Sequence, residues 1–145
     1  MQSDDSQIYE NFSVVDKKKT STDKALILKS LKSHFTLSSL IEDRQLQETL
    51  LEKFQMCKVN EGEYLMKQND NASSFFILHE GKLNVEINGE TKRTILPGEG
   101  FGELALLYSA PRSASIKAVK PSHLWYIDRA TFRSAVSTII EKKFT

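Results

Sequence analysis

One stretch decides the fold of this chain: residues 97–115, which read PGEGFGELALLYSAPRSAS. It holds three of the six glycines, at positions 98, 100 and 102. Residues 103–107 are good helix formers, and Pro111 stops any helix that they start. A glycine-rich entry to a short helix presents backbone N–H groups at the positive end of the helix dipole, which suits phosphate. The stretch therefore predicts an anion site.

Two charged side chains complete this predicted site. Arg112 follows the turn, and its guanidinium can donate two parallel, charge-assisted hydrogen bonds to phosphate oxygens. Glu103 would be repelled by the same anion unless a group such as a ribose hydroxyl donates to it. The residues thus favour a phosphate site with a sugar contact. A glycine-rich β-turn followed by a surface arginine is the alternative interpretation.

Short strands broken by turns surround this stretch and predict a β barrel over residues 55–127. Leu83, Val85 and Ile87 alternate with polar residues, which is the period of a half-buried strand. The pair Asn88-Gly89 is a hairpin signal that joins strand 82–87 to strand 91–96. Residues 113–119 and 123–127 predict further strands. Many short strands at regular spacing are typical of a sandwich or barrel.

Helices are predicted on both sides of the barrel. Asp23 can cap the first of several helices over residues 23–54, and Ser39 with Glu42 has capping-box spacing. Asp128 can cap a closing helix over residues 128–143, whose apolar residues follow the helical period. Residues 23–145 therefore form one predicted domain.

Residues 1–22 are polar and predict a mobile arm. Three lysines, at positions 17–19, precede Thr20-Ser21-Thr22. They form either a solvated linker or a phosphorylated, docking or autoinhibitory segment, and the sequence leaves these alternatives open.

Length and composition exclude several classes of protein. A chain of 145 residues with 39% apolar and 27% charged residues suits one packed domain. A net charge of +1 gives no general reason to expect nucleic acid or an anionic membrane as partner. Cys57 is the single cysteine, which fits a reducing compartment, and neither a signal peptide nor a membrane span is predicted. We expect a cytoplasmic location.

Catalysis is not predicted. Folds of this β-sandwich or β-barrel type also include metal-dependent enzymes, which need clustered histidine and carboxylate ligands. The three histidines, His34, His79 and His123, are scattered along the sequence, and no nucleophile arrangement is visible. We therefore expect no catalytic residues, no metal site and no cofactor.

The glycine-rich stretch at residues 97–115 closely resembles the phosphate-binding cassette of the cyclic-nucleotide-binding domains of cAMP- and cGMP-dependent protein kinases. The resemblance is carried by FGELALLY at 101–108 and APRSAS at 110–115. It extends to GEYL at 62–65 with Asn69-Asp70, to FFIL at 75–78 with Glu80-Gly81, and to LWYIDRATFR at 124–133. It covers the chain from about residue 28 to about residue 143.

This resemblance implies an α+β, mainly β fold: an eight-stranded antiparallel jelly-roll barrel with flanking N-terminal helices and a C-terminal helix. It implies that Glu103 accepts from the ribose 2′-hydroxyl and that Arg112 pairs with the cyclic-phosphate oxygens. It also assigns two groups of further contacts. The backbone N–H groups come from Gly102, Leu104, Ala105 and Ala114, and the apolar wall around sugar and base comes from Leu83, Val85 and Ile95.

Two positions bear on the choice between cGMP and cAMP. Family sites for cGMP usually carry Thr or Ser where this chain has Ser113, whose hydroxyl can accept from the guanine 2-amino group. Arg93 matches a position where some cGMP-selective sites place an arginine, and an arginine suits the O6 and N7 acceptors of guanine. Each residue also has a plain alternative as a strand serine or a solvated charge. Together they favour cGMP, with cAMP as the weaker ligand.

The resemblance implies a regulatory module that transmits occupancy to a protein kinase catalytic domain, which we expect in the same full-length chain. Thr131-Phe132-Arg133 and the absence of an Arg-Arg-x-Ser/Ala inhibitor site favour a cGMP-dependent kinase over a cAMP-type regulatory subunit. A channel or exchange-factor module, a bacterial transcription factor and a degenerate domain without ligand are the alternatives. The family caps the base with a residue from a further helix or domain, so we expect this chain to be a module of a larger protein.

Overall fold

The computed structural model describes residues 8–143, and it folds into two packed antiparallel sheets with helices at both ends of the chain. The strands of the first sheet are β1 Ser13–Val15, β2 Gln55–Val59, β4 Ser74–Glu80, β7 Gly100–Phe101 and β9 Ser122–Asp128. Those of the second are β3 Tyr64–Met66, β5 Leu83–Ile87, β6 Glu90–Ile95 and β8 Ser115–Ala118. The first sheet has the order β1-β2-β9-β4-β7 and the second has the order β3-β8-β5-β6.

The helices follow the predicted order. They are α1 Ser21–Ser33, α2 Phe35–Ser38, α3 Arg44–Lys53 and α4 Arg129–Lys143, with short 3-10 helices at Leu40–Glu42 and Glu103–Leu106. This architecture confirms the mainly β fold with flanking helices. Among the described residues there are nine strands, which is the predicted barrel set of eight together with β1.

Two apolar cores hold the elements together. One lies between the two sheets, where Phe76 and Leu124 of the first sheet meet Leu83 and Ile116 of the second. The other lies between the first sheet and the helices, around the fully buried Trp125. Since β4 and β9 contribute side chains to both cores, the first sheet is the central layer of the molecule.

The β5–β6 hairpin confirms the prediction made from its turn. Ile87 pairs with Glu90 across the two-residue connection. Asn88 and Gly89 both have a positive φ, of 51° and 82°, which a type I′ turn requires at its two central residues. This hairpin fixes the register that places Val85 opposite Arg93.

The N-terminal segment differs from the mobile arm that the sequence predicted. Over the described part of residues 1–22, β1 pairs with β2, and Ile8 forms a bridge to Asn71. β1 is a three-residue edge strand with two exposed side chains, so its sequence lacks the alternation of apolar and polar residues that would predict a strand. The remainder of the predicted arm, residues 1–7, lies outside the described residues, as do residues 144–145.

Two predicted helix caps are also corrected, while a third is confirmed. Thr20, not Asp23, caps α1, and Asp23 takes the third helical position in a capping box with it. Ser39 makes no side-chain cap bond, and Asp43 caps α3 instead. Asp128 accepts from Thr131 N at 2.8 Å at the start of α4, as expected.

Candidate functional site

Two adjacent cavities lie along the turn between β7 and β8, and they share Gly102, Arg112 and Ser113. We call them together the Arg112 site. The larger measures 270 Å³ and is lined by Ala72, Gly102, Glu103, Leu104, Ala105, Ala110, Pro111, Arg112 and Ser113. The smaller measures 170 Å³ and is lined by Met66, Val85, Arg93, Ile95, Phe101, Gly102, Arg112, Ser113, Ala114 and Ile116. Ten of the eleven residues predicted from the sequence therefore line these two cavities.

Leu83 is the predicted site residue that the structure places elsewhere. Its side chain is fully buried in the core between the sheets and does not line either cavity. Val85, two residues along β5, lines the smaller cavity with Ile95 of β6. The predicted apolar wall therefore consists of Val85 and Ile95, and Leu83 supports it from the core.

Gly102 shapes the turn at the centre of the site. Its φ of 82° lies in the left-handed region, where a residue with a Cβ is strained. A Cβ added there would stand 2.5 Å from Arg112 Nη1, so the glycine lets the guanidinium approach the backbone. The predicted short helix that follows is a single 3-10 turn, in which Ala105 N donates to Gly102 O at 3.1 Å. In this structure the amide of Ala105 is thus used within the turn.

Arg112 is buried, with only 7% of its surface exposed. Its Nη2 donates to the backbone oxygen of Ser74 at 2.9 Å and to Glu10 Oε2 at 3.1 Å. Its Nε is also buried, and among the described residues it has no hydrogen-bond partner. Burial lowers the pKa of Arg112 from its ordinary value, and the Glu10 carboxylate opposes this effect. The structure thus holds a buried cation with an unused donor.

Glu10 is a site residue that the sequence analysis missed. Its carboxylate accepts from Ser73 N and Ser74 N at 3.0 and 2.9 Å, from Ser74 Oγ at 2.8 Å, and from Arg112. No sequence signal announces it, because Glu10 and Arg112 are 102 positions apart and residues 8–12 carry no periodic pattern. The segment that was predicted as an arm therefore supplies the counter-ion of Arg112.

His34 is a second residue that the sequence did not assign to the site. It ends α1, and its Nε2 lies 3.6 Å from Glu103 Oε2 and 3.2 Å from Gly100 O. Its Nδ1 lies 2.8 Å from Ser30 O, so the ring is held from both sides. The contact joins the N-terminal helix to the turn that carries Glu103.

The two residues invoked for base selection both line the smaller cavity. Ser113 is exposed and directly follows Arg112. Arg93 is 55% exposed in its side chain and donates to Glu99 Oε2 at 2.9 Å. Burial raises the pKa of Glu99, but hydrogen bonds from Arg93 and from Leu96 N outweigh it, so the net shift is downward. Arg93 lines the site while it is held in this ion pair.

Other kinds of site were sought in the part of the chain that the structure describes. Within residues 8–143, no group of three or more His, Cys, Asp or Glu side chains is placed to hold a metal ion. Over the same residues, no helix has the length and apolar character that a bilayer crossing needs. Cys57 is fully buried, and burial raises the pKa of its thiol.

Comparison with known proteins agrees with this geometry. Residues 56–138 match the family described as the cyclic nucleotide-binding domain, so the chain belongs to that family. It is 34% identical to the cGMP-dependent protein kinase of Plasmodium berghei over 87% of the chain, which is 14% of that protein. It is 36% identical to the cAMP-dependent protein kinase regulatory subunit of Yarrowia lipolytica over 74% of the chain, which is 28% of that protein.

A solved structure agrees as well. The regulatory domain of Toxoplasma gondii PKA, crystallised with cAMP, has a TM-score of 0.66 and 32% identity. The match covers 86% of this chain and 49% of that one. The chain thus matches between 14% and 49% of the length of these three proteins.

Proposed function

We propose that this chain binds a cyclic nucleotide at the Arg112 site, cGMP in preference to cAMP, and that it transmits occupancy to a protein kinase catalytic domain. The observation that carries the proposal is Arg112. It is a buried guanidinium with an unused Nε donor, set against a glycine that leaves room for it. A buried donor without a partner is costly, and a phosphate oxygen removes that cost on binding.

The rest of the site suits the rest of a cyclic nucleotide. Glu103 lines the larger cavity as an acceptor for a ribose hydroxyl, and His34 holds the far side of its carboxylate. Val85 and Ile95 provide apolar surface for sugar and base in the smaller cavity. The backbone amides of Gly102, Leu104 and Ala114 are the proposed partners of the cyclic phosphate.

The proposed preference for cGMP rests on Ser113 and Arg93, which both line the smaller cavity. The Ser113 hydroxyl accepts from the guanine 2-amino group, which adenine lacks. Arg93 donates to guanine O6 and N7, and to do so it must exchange its ion pair with Glu99 for the base. The preference from such contacts is about 1–3 kcal/mol, so cAMP binds more weakly rather than not at all.

Hydrogen bonds between α4 and the site offer a route for transmission. Arg129, the first residue of α4, donates to Ala105 O at 3.0 Å and to Ala72 O at 2.9 Å. Arg133, one turn later, donates to Leu107 O. A ligand that moves the 103–107 turn therefore moves the acceptors that hold α4. We propose that this shifts α4 between two positions and so releases or restrains the kinase domain.

The kinase domain is proposed to lie in the same full-length, cytoplasmic protein, by analogy with the cGMP-dependent kinase relative. The alternative is a cAMP-binding regulatory subunit, and the Yarrowia relative and the cAMP-bound Toxoplasma structure favour it. A nucleotide-sensing module of a channel is a further alternative.

Separate calorimetric titrations with cGMP and cAMP test the proposal. We expect both to bind, with cGMP tighter by about tenfold or more. The double variant Ser113→Ala with Arg93→Ala should narrow that ratio, while Lys92→Ala, an exposed neighbour on β6, should leave it unchanged. An unchanged ratio in the double variant would refute the base assignment, and no binding of either nucleotide would refute the function itself.

A further inference from the structure

Glu10 gives the Arg112 site an unusual charge balance. Its side chain is 10% exposed, and it accepts four hydrogen bonds, three of them from Ser73 and Ser74. Because those three donors belong to β4 and the residue before it, the carboxylate stays beside Arg112 whether or not Arg112 holds an anion.

The charged side chains that line the larger cavity are Arg112 and Glu103. Glu10 lies outside that lining, but its ion pair with Arg112 offsets the positive charge of the guanidinium, so the cavity has no net positive charge. An anion on the remaining donors of the Arg112 guanidinium lies within about 4–6 Å of the Glu10 carboxylate, where like charges repel appreciably. Each further negative charge on the ligand increases that repulsion.

We propose that Glu10 determines the charge of the phosphate that this site accepts, favouring a singly charged phosphodiester over a doubly charged phosphate monoester. This inference rests on the proposed function and adds a selectivity to it. Cyclic nucleotides carry one negative charge, whereas the corresponding 5′-monophosphates carry close to two at neutral pH because their second pKa is about 6. Glu10 thus protects the sensor from abundant nucleoside monophosphates.

The first test removes the charge of Glu10. Competition binding on the whole chain at about pH 8 compares cGMP with 5′-GMP for wild type and Glu10→Gln. We expect the monoester to gain on the cyclic nucleotide by about tenfold or more in Glu10→Gln. Glu10→Asp keeps the charge and should stay nearer the wild-type ratio. Glu61→Gln, in an exposed turn away from the cavities, is the control for net charge.

The second test needs no variant, so it holds even where Glu10→Gln does not fold. It compares 5′-GMP with its phosphate methyl ester, an open-chain phosphodiester with one charge, on the wild-type chain. We expect the methyl ester to bind about tenfold more tightly. Equal binding of these two ligands, or an unchanged ratio in a folded Glu10→Gln, overturns the inference and leaves the proposed function standing. Failure of wild type to bind cGMP and cAMP overturns both.

Discussion

Replacing Gly102 by alanine should damage both the fold and the ligand site. The new Cβ would stand 2.5 Å from Arg112 Nη1 and 3.3 Å from the backbone oxygen of Ser74. The φ of 82° would also be imposed on a residue that disfavours it. Gly89→Ala provides a matched control, because Gly89 has the same φ of 82° and open space where the Cβ would go.

The two effects can be given separate magnitudes. The left-handed backbone costs alanine about 1–2 kcal/mol, and the loss of glycine flexibility in the unfolded chain offsets part of it, so Gly89→Ala should cost about 1 kcal/mol. In Gly102→Ala the guanidinium must also move away, although Glu10 and Ser74 hold it. Losing one charge-assisted hydrogen bond adds about 1.5–3 kcal/mol. The total of about 2.5–4 kcal/mol corresponds to a fall in Tm of roughly 10 °C.

Two assays follow both variants. Urea unfolding monitored by the fluorescence of Trp125, the single tryptophan, gives the free energy of unfolding. Calorimetric titration with cGMP and cAMP gives the affinities. We expect Gly102→Ala to lose at least about tenfold in affinity for both nucleotides, because the displaced guanidinium no longer presents its donors, while Gly89→Ala binds like wild type.

The reasoning is refuted if Gly102→Ala and Gly89→Ala lower the free energy of unfolding equally. That result would mean that backbone strain accounts for the whole effect and that Arg112 moves aside at no cost. Wild-type affinity in Gly102→Ala would count against Arg112 as the phosphate contact, since the variant forces the guanidinium out of its observed position.

Three further predictions concern single side chains. Arg112→Lys keeps the positive charge but loses the planar set of donors, so both nucleotide affinities should fall about 100-fold by calorimetry, while the exposed Arg44→Lys should match wild type. An intact affinity in Arg112→Lys would mean that Arg112 is not the phosphate contact. Burial raises the pKa of Asp23, but hydrogen bonds from a lysine ammonium and the helix cap more than offset it, so the net shift is downward. The stability from that lowered pKa is fully present above the unfolded value of about 4 and is lost as the pH falls through the folded pKa. The free energy of unfolding of Asp23→Asn, from urea melts between about pH 2 and 6, should therefore fall less steeply with acid than that of wild type. His34→Ala removes a support of Glu103, and we expect a roughly three- to tenfold loss of nucleotide affinity in titrations; unchanged affinity would mean that Glu103 is held by other groups.

Much of the fold followed from local pattern. The β5–β6 hairpin was predictable because its turn needs two residues with positive φ, and Asn-Gly supplies them within the sequence. The start of α4 was predictable because its cap, Asp128, accepts a hydrogen bond from a backbone N–H only three residues further along the chain. β1 was not predictable, because an edge strand of three residues takes its structure from the neighbouring β2 rather than from its own side-chain pattern.

The site divides in the same way. The sequence alone determined the turn with Gly102, Glu103 and Arg112. These residues lie within eleven positions, and their side-chain types are enough to indicate a phosphate site with a sugar contact. The tertiary structure alone decided what surrounds Arg112 and Glu103. Glu10 contacts Arg112 from 102 positions away in the sequence, and His34 contacts Glu103 from 69 positions away. Such contacts depend on how the sheets stack and where the N-terminal segment crosses them. The chemistry of the site is therefore local in the sequence, whereas its charge balance is a property of the fold.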